Sequence, residues 1–191
     1  MGFTEETIIE TKYGSLNAKY FKGDGGKFCL CVYKKPWQVP VFVRLHSGCL
    51  FAESLRANDC DCDRQLQASL SIISKEGGVV VYLFQEGRGL GLEGKIRALE
   101  VQRNQNVDTA KAFEELGFEP DLRVYTIALK ALRDLGIPNE ISLDTNNPNK
   151  LKAFEDFGFI VTRRHVAIRT NLAIRKYLKM KQKALSHYPD E

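Results

Sequence analysis

Residues 79–84 read VVVYLF and residues 85–91 read QEGRGLG, and this pair of segments decides the fold. A short apolar run rich in β-branched residues predicts a buried strand. The change to glycine and charge marks the carboxyl end of that strand. VFVRL at 41–45 changes in the same way into HSGC, and EISL at 140–143 into DTNNPNK. In open α/β sheets ligands bind at this edge, so the three polar segments are predicted to line one crevice.

The rest of the chain predicts helices between the strands and a hairpin before them. SLNAKYF and KFCLCVY, within residues 15–35, flank a GDGG turn and are typical of a β-hairpin. Helical periodicity begins in RQLQASLSIISKEGG, returns after residue 91 and ends in a long C-terminal helix. We therefore predict a single α/β domain over residues 1–191. Its layered, mixed and partly parallel sheet would be flanked by helices and begin with an N-terminal β-hairpin.

The composition is that of an ordinary globular protein, with 43% hydrophobic and 27% charged residues and a formal net charge of +4. No apolar run approaches the ~20 residues of a transmembrane helix, and the acidic N-terminal segment does not resemble a signal peptide. We expect a cytoplasmic protein with no membrane partner. The modest positive charge suits a small anionic ligand such as a nucleotide, whereas a nucleic-acid partner is the less favoured interpretation.

Cys49, Cys60 and Cys62 are the candidates for a metal site. A reducing compartment disfavours disulfides, and Cys-x-Cys is too short for an unstrained disulfide loop. Three thiolates suit zinc and leave a fourth coordination position for water, as in catalytic sites. An incidental cluster is the alternative on spacing alone. Cys29 and Cys31, which alternate with apolar residues, are predicted to be buried structural thiols.

The glycine-rich segment at residues 85–97 predicts an anion site. It matches the dinucleotide-binding and P-loop patterns only in part, because Asp108 is expected to cap a helix and Ile96 replaces the P-loop Ser or Thr. What is left is a glycine-rich turn before a helix, with Arg88, Lys95 and Arg97 nearby, and this suits an anion such as a phosphate. A tight turn with surface cations is the alternative.

Two further segments depend on their position for a functional meaning. Asp121 and Arg123, in EPDLRVYT, form a surface ion pair by default, and they acquire a function only if their loop faces the crevice. TNNPNK at residues 145–150 is a turn by composition. Because it follows a predicted strand, it is expected at the same edge of the sheet.

Together these segments resemble the GTP cyclohydrolase II family, zinc enzymes that open the imidazole ring of GTP at the start of riboflavin synthesis. The resemblance runs from about Val43 to the C-terminus. It rests on RLHSGC, on the Cys-x10-Cys-x-Cys spacing followed by Gln65, on QEGRGLGL with KIRA, on LGF-x-x-D-x-R, on TNNP-x-K and on the terminal YLKMKQKALSHY.

The resemblance implies a role for each matched residue. Cys49, Cys60 and Cys62 would hold one zinc ion per chain, and Mg²⁺ would accompany the triphosphate. Asp121 would be the proton acceptor and Arg123 the nucleophile at the α-phosphorus as pyrophosphate leaves, although a protonated arginine suits electrostatic stabilisation better. The protein would be a homodimer. The residues expected to bind GTP are Arg44, Leu45, His46, Ser47, Gln65, Glu86, Gly87, Arg88, Thr109, Thr145 and Lys150.

Two positions depart from the family pattern. Gly48 replaces the glutamate of HSEC beside the first expected zinc ligand. Leu99 replaces the tyrosine after KIRA, and leucine donates neither a proton nor a hydrogen bond. Family members without this tyrosine resemble enzymes that open the ring but keep the formyl group. The expected reaction is zinc-dependent ring opening with release of pyrophosphate and formate, and arrest at the formylamino product is the alternative.

Other classes of function stay open on the sequence. A zinc nucleobase deaminase also uses cysteines, but it requires His-x-Glu and Pro-Cys-x-x-Cys, and neither occurs here. A non-enzymatic, zinc-stapled nucleic-acid-binding domain would use the basic C-terminal helix. However, no fourth zinc ligand is evident in the sequence, and this function would not explain the polar segments at the strand ends. Loss of catalysis through Gly48 and Leu99 would leave a GTP-binding pseudoenzyme.

Overall fold

The computed structural model describes residues 6–119, 121–168 and 170–189. The strands in these residues are β1 (Glu6–Thr11), β2 (Gly14–Lys22), β3 (Phe28–Lys34), β4 (Val41–Ser47), β5 (Gly78–Leu83), β6 (Glu140–Asp144) and β7 (Ile160–Arg164). The helices are α1 (Leu50–Glu53), α2 (Cys62–Glu76), α3 (Gly91–Gln105), α4 (Thr109–Glu115), α5 (Thr126–Asp134), α6 (Pro148–Asp156) and α7 (Leu172–Leu185). Among these helices, none is both long and apolar enough to cross a bilayer.

The strands form one mixed sheet in the order β1-β2-β3-β5-β4-β6-β7. β1, β2, β3 and β5 pair antiparallel in succession, whereas β4 is parallel to β5 and β6, and β6 is parallel to β7. The prediction of a mixed, partly parallel sheet with an N-terminal hairpin is confirmed. The sequence prediction missed β1, a mostly exposed edge strand in which Ile8 is 63% exposed, because an edge strand needs little apolar alternation.

Helices cover both faces of the sheet. On one face α2 packs through Ile73 against Phe42 and Val80. On the other face α5 and α6 cover the larger core, which also buries Cys29 and Cys31. Both thiols are 0% exposed, so their predicted structural role is borne out by their burial.

Side-chain alternation along β4 separates the core from the site. Val43 and Leu45 face the α5 and α6 core, whereas Arg44 and His46 face the opposite side, because successive residues of a strand point to opposite faces. β5, β4 and β6 are adjacent and parallel, so their carboxyl ends meet at one edge. There Gly48 N donates to the carbonyl of Leu83 at 2.8 Å. This is the predicted meeting of the three polar segments.

Candidate active site

A cavity of about 320 Å³ opens at the carboxyl edge of β4, β5 and β6. Residues from all three polar segments line it, together with residues from α3, α4 and α7. The predicted site residues in its lining are Arg44, His46, Ser47, Cys49, Cys60, Cys62, Gln65, Glu86, Gly87, Arg88, Thr109, Arg123, Thr145 and Lys150. Both departures from the family pattern, Gly48 and Leu99, line it as well.

Two predicted residues lie outside this lining. The side chain of Leu45 is 1% exposed in the core, and only its carbonyl reaches towards the site, where it accepts a hydrogen bond from Lys150 Nζ at 2.8 Å. Asp121 stands behind Arg123 and bonds its guanidinium. Leu45 therefore reaches the site only through its backbone carbonyl. Asp121 is separated from the cavity surface by the side chain of Arg123.

The three cysteine sulfurs form a cluster in one wall of the cavity. All three sulfur atoms lie within 4.8 Å of one another, and the Sγ atoms of Cys49 and Cys60 are 3.9 Å apart. Tetrahedral zinc–sulfur bonds of about 2.3 Å place two ligand sulfurs about 3.8 Å apart. Cys62 is the first residue of the fifteen-residue helix α2. The sulfur spacing and the thiolate chemistry both fit a zinc ion.

Glu53 ties the first cysteine to the end of β4. Its carboxylate accepts hydrogen bonds from His46 Nε2 at 2.9 Å, from the Cys49 backbone N–H at 2.7 Å and from the Tyr82 hydroxyl at 2.7 Å. Burial lowers the pKa of His46 despite this carboxylate, so the imidazole is neutral near pH 7. The sequence analysis missed Glu53. The one feature of the sequence that could have indicated Glu53 is its position four residues after Cys49, on the short helix that begins directly after this cysteine.

Lys95 brings a positive charge to the cysteine cluster. Its Nζ donates to Cys49 Sγ at 3.2 Å and to Glu86 Oε1 at 2.7 Å. Burial opposes its charge, but its bonds to Glu86 and Cys49 outweigh burial and raise the pKa of Lys95. The sequence predicted Lys95 near a phosphate. The structure instead places it where it offsets part of the negative charge of three thiolates.

The glycine-rich turn after β5 is fastened to the segment that carries Asp121 and Arg123. Leu122 N donates to the carbonyl of Arg88 at 3.0 Å, and a Cβ at Gly89 would lie 2.9 Å from the Leu122 carbonyl. Arg88 adopts a φ of 54°, a left-handed conformation that costs a non-glycine residue about 1 kcal/mol. The loop therefore faces the crevice, which was the condition for Asp121 and Arg123 to have a function.

Asp121 and Arg123 form a two-bonded ion pair. The Nε atom of Arg123 donates to Asp121 Oδ1 at 2.7 Å, and a second guanidinium nitrogen donates to Oδ2. Burial opposes both charges, but the bonds between the two partners prevail. They lower the pKa of Asp121 and raise the pKa of Arg123. Arg123 is consequently a permanent cation beside the cavity.

Cations converge on the cavity from four elements. Arg44 Nη1 bonds Asp144 Oδ2 at 2.9 Å, whereas Lys150 donates from Nζ to the carbonyl of Leu45 and is only 7% exposed. Burial, followed by the charges of Arg123 and Arg44, lowers the pKa of Lys150 well below its usual value. The buried atoms Arg44 Nε, His46 Nδ1 and Ser47 Oγ have no hydrogen-bond partner among the described residues. Crowded cations and buried polar atoms without a partner are typical of a site that binds an anion.

Comparison with known proteins agrees with this geometry. The sequence profile of the family described as GTP cyclohydrolase II matches residues 3–166. The chain belongs to the GTP cyclohydrolase II family. Its relatives include a GTP cyclohydrolase-2 from Campylobacter hominis, 37% identical over 183 residues, which cover 96% of this chain and 93% of that protein.

Other relatives of this GTP cyclohydrolase II family member differ in length. A GTP cyclohydrolase-2 from Pseudomonas putida is 47% identical over 78% of this chain and 72% of that protein. The riboflavin biosynthesis protein RibBA from Aquifex aeolicus is 46% identical over 78% of this chain. The match spans only 37% of the length of that RibBA protein.

The structure locates the two departures from the GTP cyclohydrolase II family pattern. A Cβ at Gly48 would lie 2.6 Å from the Tyr82 hydroxyl, so a larger residue at this position requires Tyr82 to move. Leu99 lies on α3, and its side chain shares the cavity lining with Gln102 and Thr109. Both departures therefore change the surface that a bound ligand would meet.

Proposed function

We propose that the protein opens the imidazole ring of GTP by hydrolysis with release of pyrophosphate and formate, giving a diaminopyrimidinone ribosyl phosphate. The observation that carries the proposal is one cavity with a three-cysteine cluster in one wall and convergent cations in the others. The first feature suits hydrolysis of a carbon–nitrogen bond, and the second suits a triphosphate.

Cys49, Cys60 and Cys62 would hold zinc through three thiolates. Zinc held there would supply Lewis acidity for hydrolytic attack at carbon 8 of the purine. Three thiolates alone would make a weakly acidic, negatively charged centre. Lys95, whose Nζ lies 3.2 Å from Cys49 Sγ, would offset part of that charge. Glu53 would orient the Cys49 backbone and the neighbouring His46.

The triphosphate would occupy the cationic part of the cavity. Burial, and then repulsion from Arg123 and Arg44, lowers the pKa of Lys150 there. Binding a polyanion, with Mg²⁺ beside its phosphates, would relieve this repulsion and favour the charged form of Lys150. The other residues proposed to contact GTP are Leu45 through its carbonyl, His46, Ser47, Gln65, Glu86, Gly87, Arg88, Thr109 and Thr145.

Arg123 would act on the α-phosphate by charge. Its raised pKa keeps the guanidinium protonated, so it can stabilise the negative charge that develops as pyrophosphate leaves. Asp121 is its partner and the proposed proton acceptor. The lowered pKa of Asp121 makes it a weak base while it bonds Arg123. Transfer of the Arg123 hydrogen bonds to phosphate oxygens would free the carboxylate and raise its basicity.

The test is incubation of the zinc-loaded chain with GTP. We expect pyrophosphate and a ring-opened pyrimidine product, and we expect ATP to give neither. The assay should follow pyrophosphate, formate and the loss of purine absorbance separately. Binding to unrelated RNA or DNA that weakens steeply with salt, without any GTP turnover, would instead favour the nucleic-acid-binding alternative.

Leu99 favours a second candidate, ring opening that stops at the formylamino product. A leucine at the cavity surface supplies no proton or hydrogen bond for a second hydrolysis. This candidate predicts that the wild-type protein releases less formate than pyrophosphate. The Leu99→Tyr variant should raise the molar ratio of formate to pyrophosphate towards about one, since tyrosine restores a hydroxyl donor.

The matched control for Leu99→Tyr is Leu92→Tyr. Leu92 lies on the same helix but is 40% exposed and does not line the cavity. The Leu92→Tyr variant should leave the ratio of formate to pyrophosphate unchanged. Equal amounts of formate and pyrophosphate from the wild-type protein would rule out the arrested product.

We further propose that the protein is a cytoplasmic homodimer built from one domain per chain. Phe28 and Phe84 form an exposed aromatic pair, with ring centroids 4.7 Å apart and exposures of 37% and 55%. Such a pair suits a contact between two copies. The Phe84→Glu variant is expected to lower the mass in light scattering from twice the 21.6 kDa chain mass to once that value. Ile160→Glu on the edge strand β7 is the control, and a monomeric wild-type protein would contradict the proposal.

A further inference from the structure

The C-terminal helix forms a wall of the cavity. Tyr177 and Lys181 of α7, and His187 just beyond it, line the cavity beside the residues discussed above. The family profile ends at residue 166, so this wall comes from outside the matched segment. No function has yet been assigned to it.

This C-terminal segment, residues 171–188, contacts both chemical parts of the site. The Asn171 side-chain amide donates to the carbonyl of Asn58, in the loop that leads to Cys60, at 3.1 Å. Tyr188 N donates to the carbonyl of Asn146, in the turn after β6, at 2.9 Å. The segment thus crosses from the cysteine loop to the turn that carries Thr145 and Lys150.

A buried ion pair fastens the middle of the segment to the cysteine loop. Lys181 Nζ lies 3.1 Å from Asp61 Oδ1, and the two side chains are 15% and 0% exposed. Asp61 stands between Cys60 and Cys62, so its position fixes the backbone that separates two expected zinc ligands. Gln65 links the same carboxylate to the Arg44 guanidinium. One polar network therefore joins α7, the cysteine loop and β4.

We propose that Lys181 is a positioning residue for the zinc centre, and that by binding Asp61 it holds Cys60 and Cys62 in the geometry that retains the metal. This inference rests on the proposed function, because it takes the cysteine cluster to be a zinc site. A carboxylate with no exposed surface needs a charged partner, and among the described residues Lys181 is the cation that forms a salt bridge with Asp61. Although burial disfavours its charge, Asp61 raises the pKa of Lys181, so the pair is ionic at neutral pH.

The test is the rate at which the zinc-loaded full-length protein loses zinc to a chromogenic chelator, without GTP. Lys181→Met keeps the length of the side chain but removes its charge, and we expect release about tenfold faster than from the wild type. Lys181→Arg should stay close to the wild type because it keeps the pair. Lys179→Met, at an exposed position of the same helix, should match the wild type. Wild-type release from Lys181→Met would overturn the proposal.

An Asp61→Asn, Lys181→Met double variant separates lost positioning from the cost of an unpaired buried charge. If the two residues act as one pair, the double variant should release zinc about as fast as the faster of the two single variants, Asp61→Asn and Lys181→Met. Multiplied effects would overturn the proposal, as would slow release from the double variant. Circular dichroism checks that each variant is folded. A wild type that retains zinc but does not open GTP would refute the proposed function alone, whereas one that binds no zinc would refute both.

Discussion

Replacement of Cys60 by serine is expected to remove zinc and GTP turnover together. Cys60 Sγ lies 3.9 Å from Cys49 Sγ, the spacing of two sulfurs on one tetrahedral ion. A serine hydroxyl stays protonated at neutral pH and replaces a thiolate poorly. After dialysis against a chelator, the zinc content should fall from about one ion per chain to below about 0.1. Pyrophosphate release from GTP should fall to the rate without protein. Metal analysis and the pyrophosphate assay on the same sample measure both effects.

The control for Cys60→Ser is Cys29→Ala. Cys29 is also a free cysteine, but it lies on β3 with 0% exposure, on the core face of the sheet. This variant should keep zinc and turnover, and should lower the free energy of unfolding by about 1 kcal/mol through lost packing. If Cys60→Ser kept both zinc and turnover, the cysteine cluster would be incidental, which is the alternative that the spacing left open.

The fold could be predicted where one physical rule determined the outcome. A run of β-branched residues such as 79–81 favours a buried strand. Neighbouring parallel strands have their carboxyl ends at the same edge of the sheet. The alternation rule also explains why Leu45 faces the core although Arg44 and His46 face the cavity. The GTP-binding residues implied by the resemblance include Leu45, and strand alternation places its side chain in the core.

The parts of the site that the sequence did not reveal depend on tertiary pairing. Nothing local indicates that Leu122 bonds Arg88, yet that bond turns Arg123 towards the cavity. Lys95 and Lys181 have the same chemistry in the sequence. Packing places the first beside Cys49 Sγ and the second beside Asp61. Such assignments require the position of a partner that lies 46 residues away for Lys95 and 120 residues away for Lys181.

Arg123→Met is expected to reduce kcat for GTP ring opening by about 100- to 1000-fold, because it removes the cation proposed to stabilise the α-phosphate. Arg123→Lys keeps a positive charge but loses the two-bonded geometry, so a loss of about tenfold is expected. Zinc content should stay at the wild-type value in both variants, since Arg123 has no contact with the cysteine sulfurs among its described bonds. Steady-state pyrophosphate release, with metal analysis of each sample, makes the comparison.

The order of activity among the Arg123 variants also distinguishes an electrostatic role of Arg123 from a covalent one. A nucleophilic guanidinium must lose its proton, but the pair with Asp121 raises the pKa of Arg123. Rapid quenching with GTP labelled at the α-phosphorus should therefore leave no label on the denatured protein during turnover. Stoichiometric label on the wild type, absent from both Arg123 variants, would overturn the electrostatic role. Graded activity from arginine through lysine to methionine, without label, is the outcome that charge stabilisation requires.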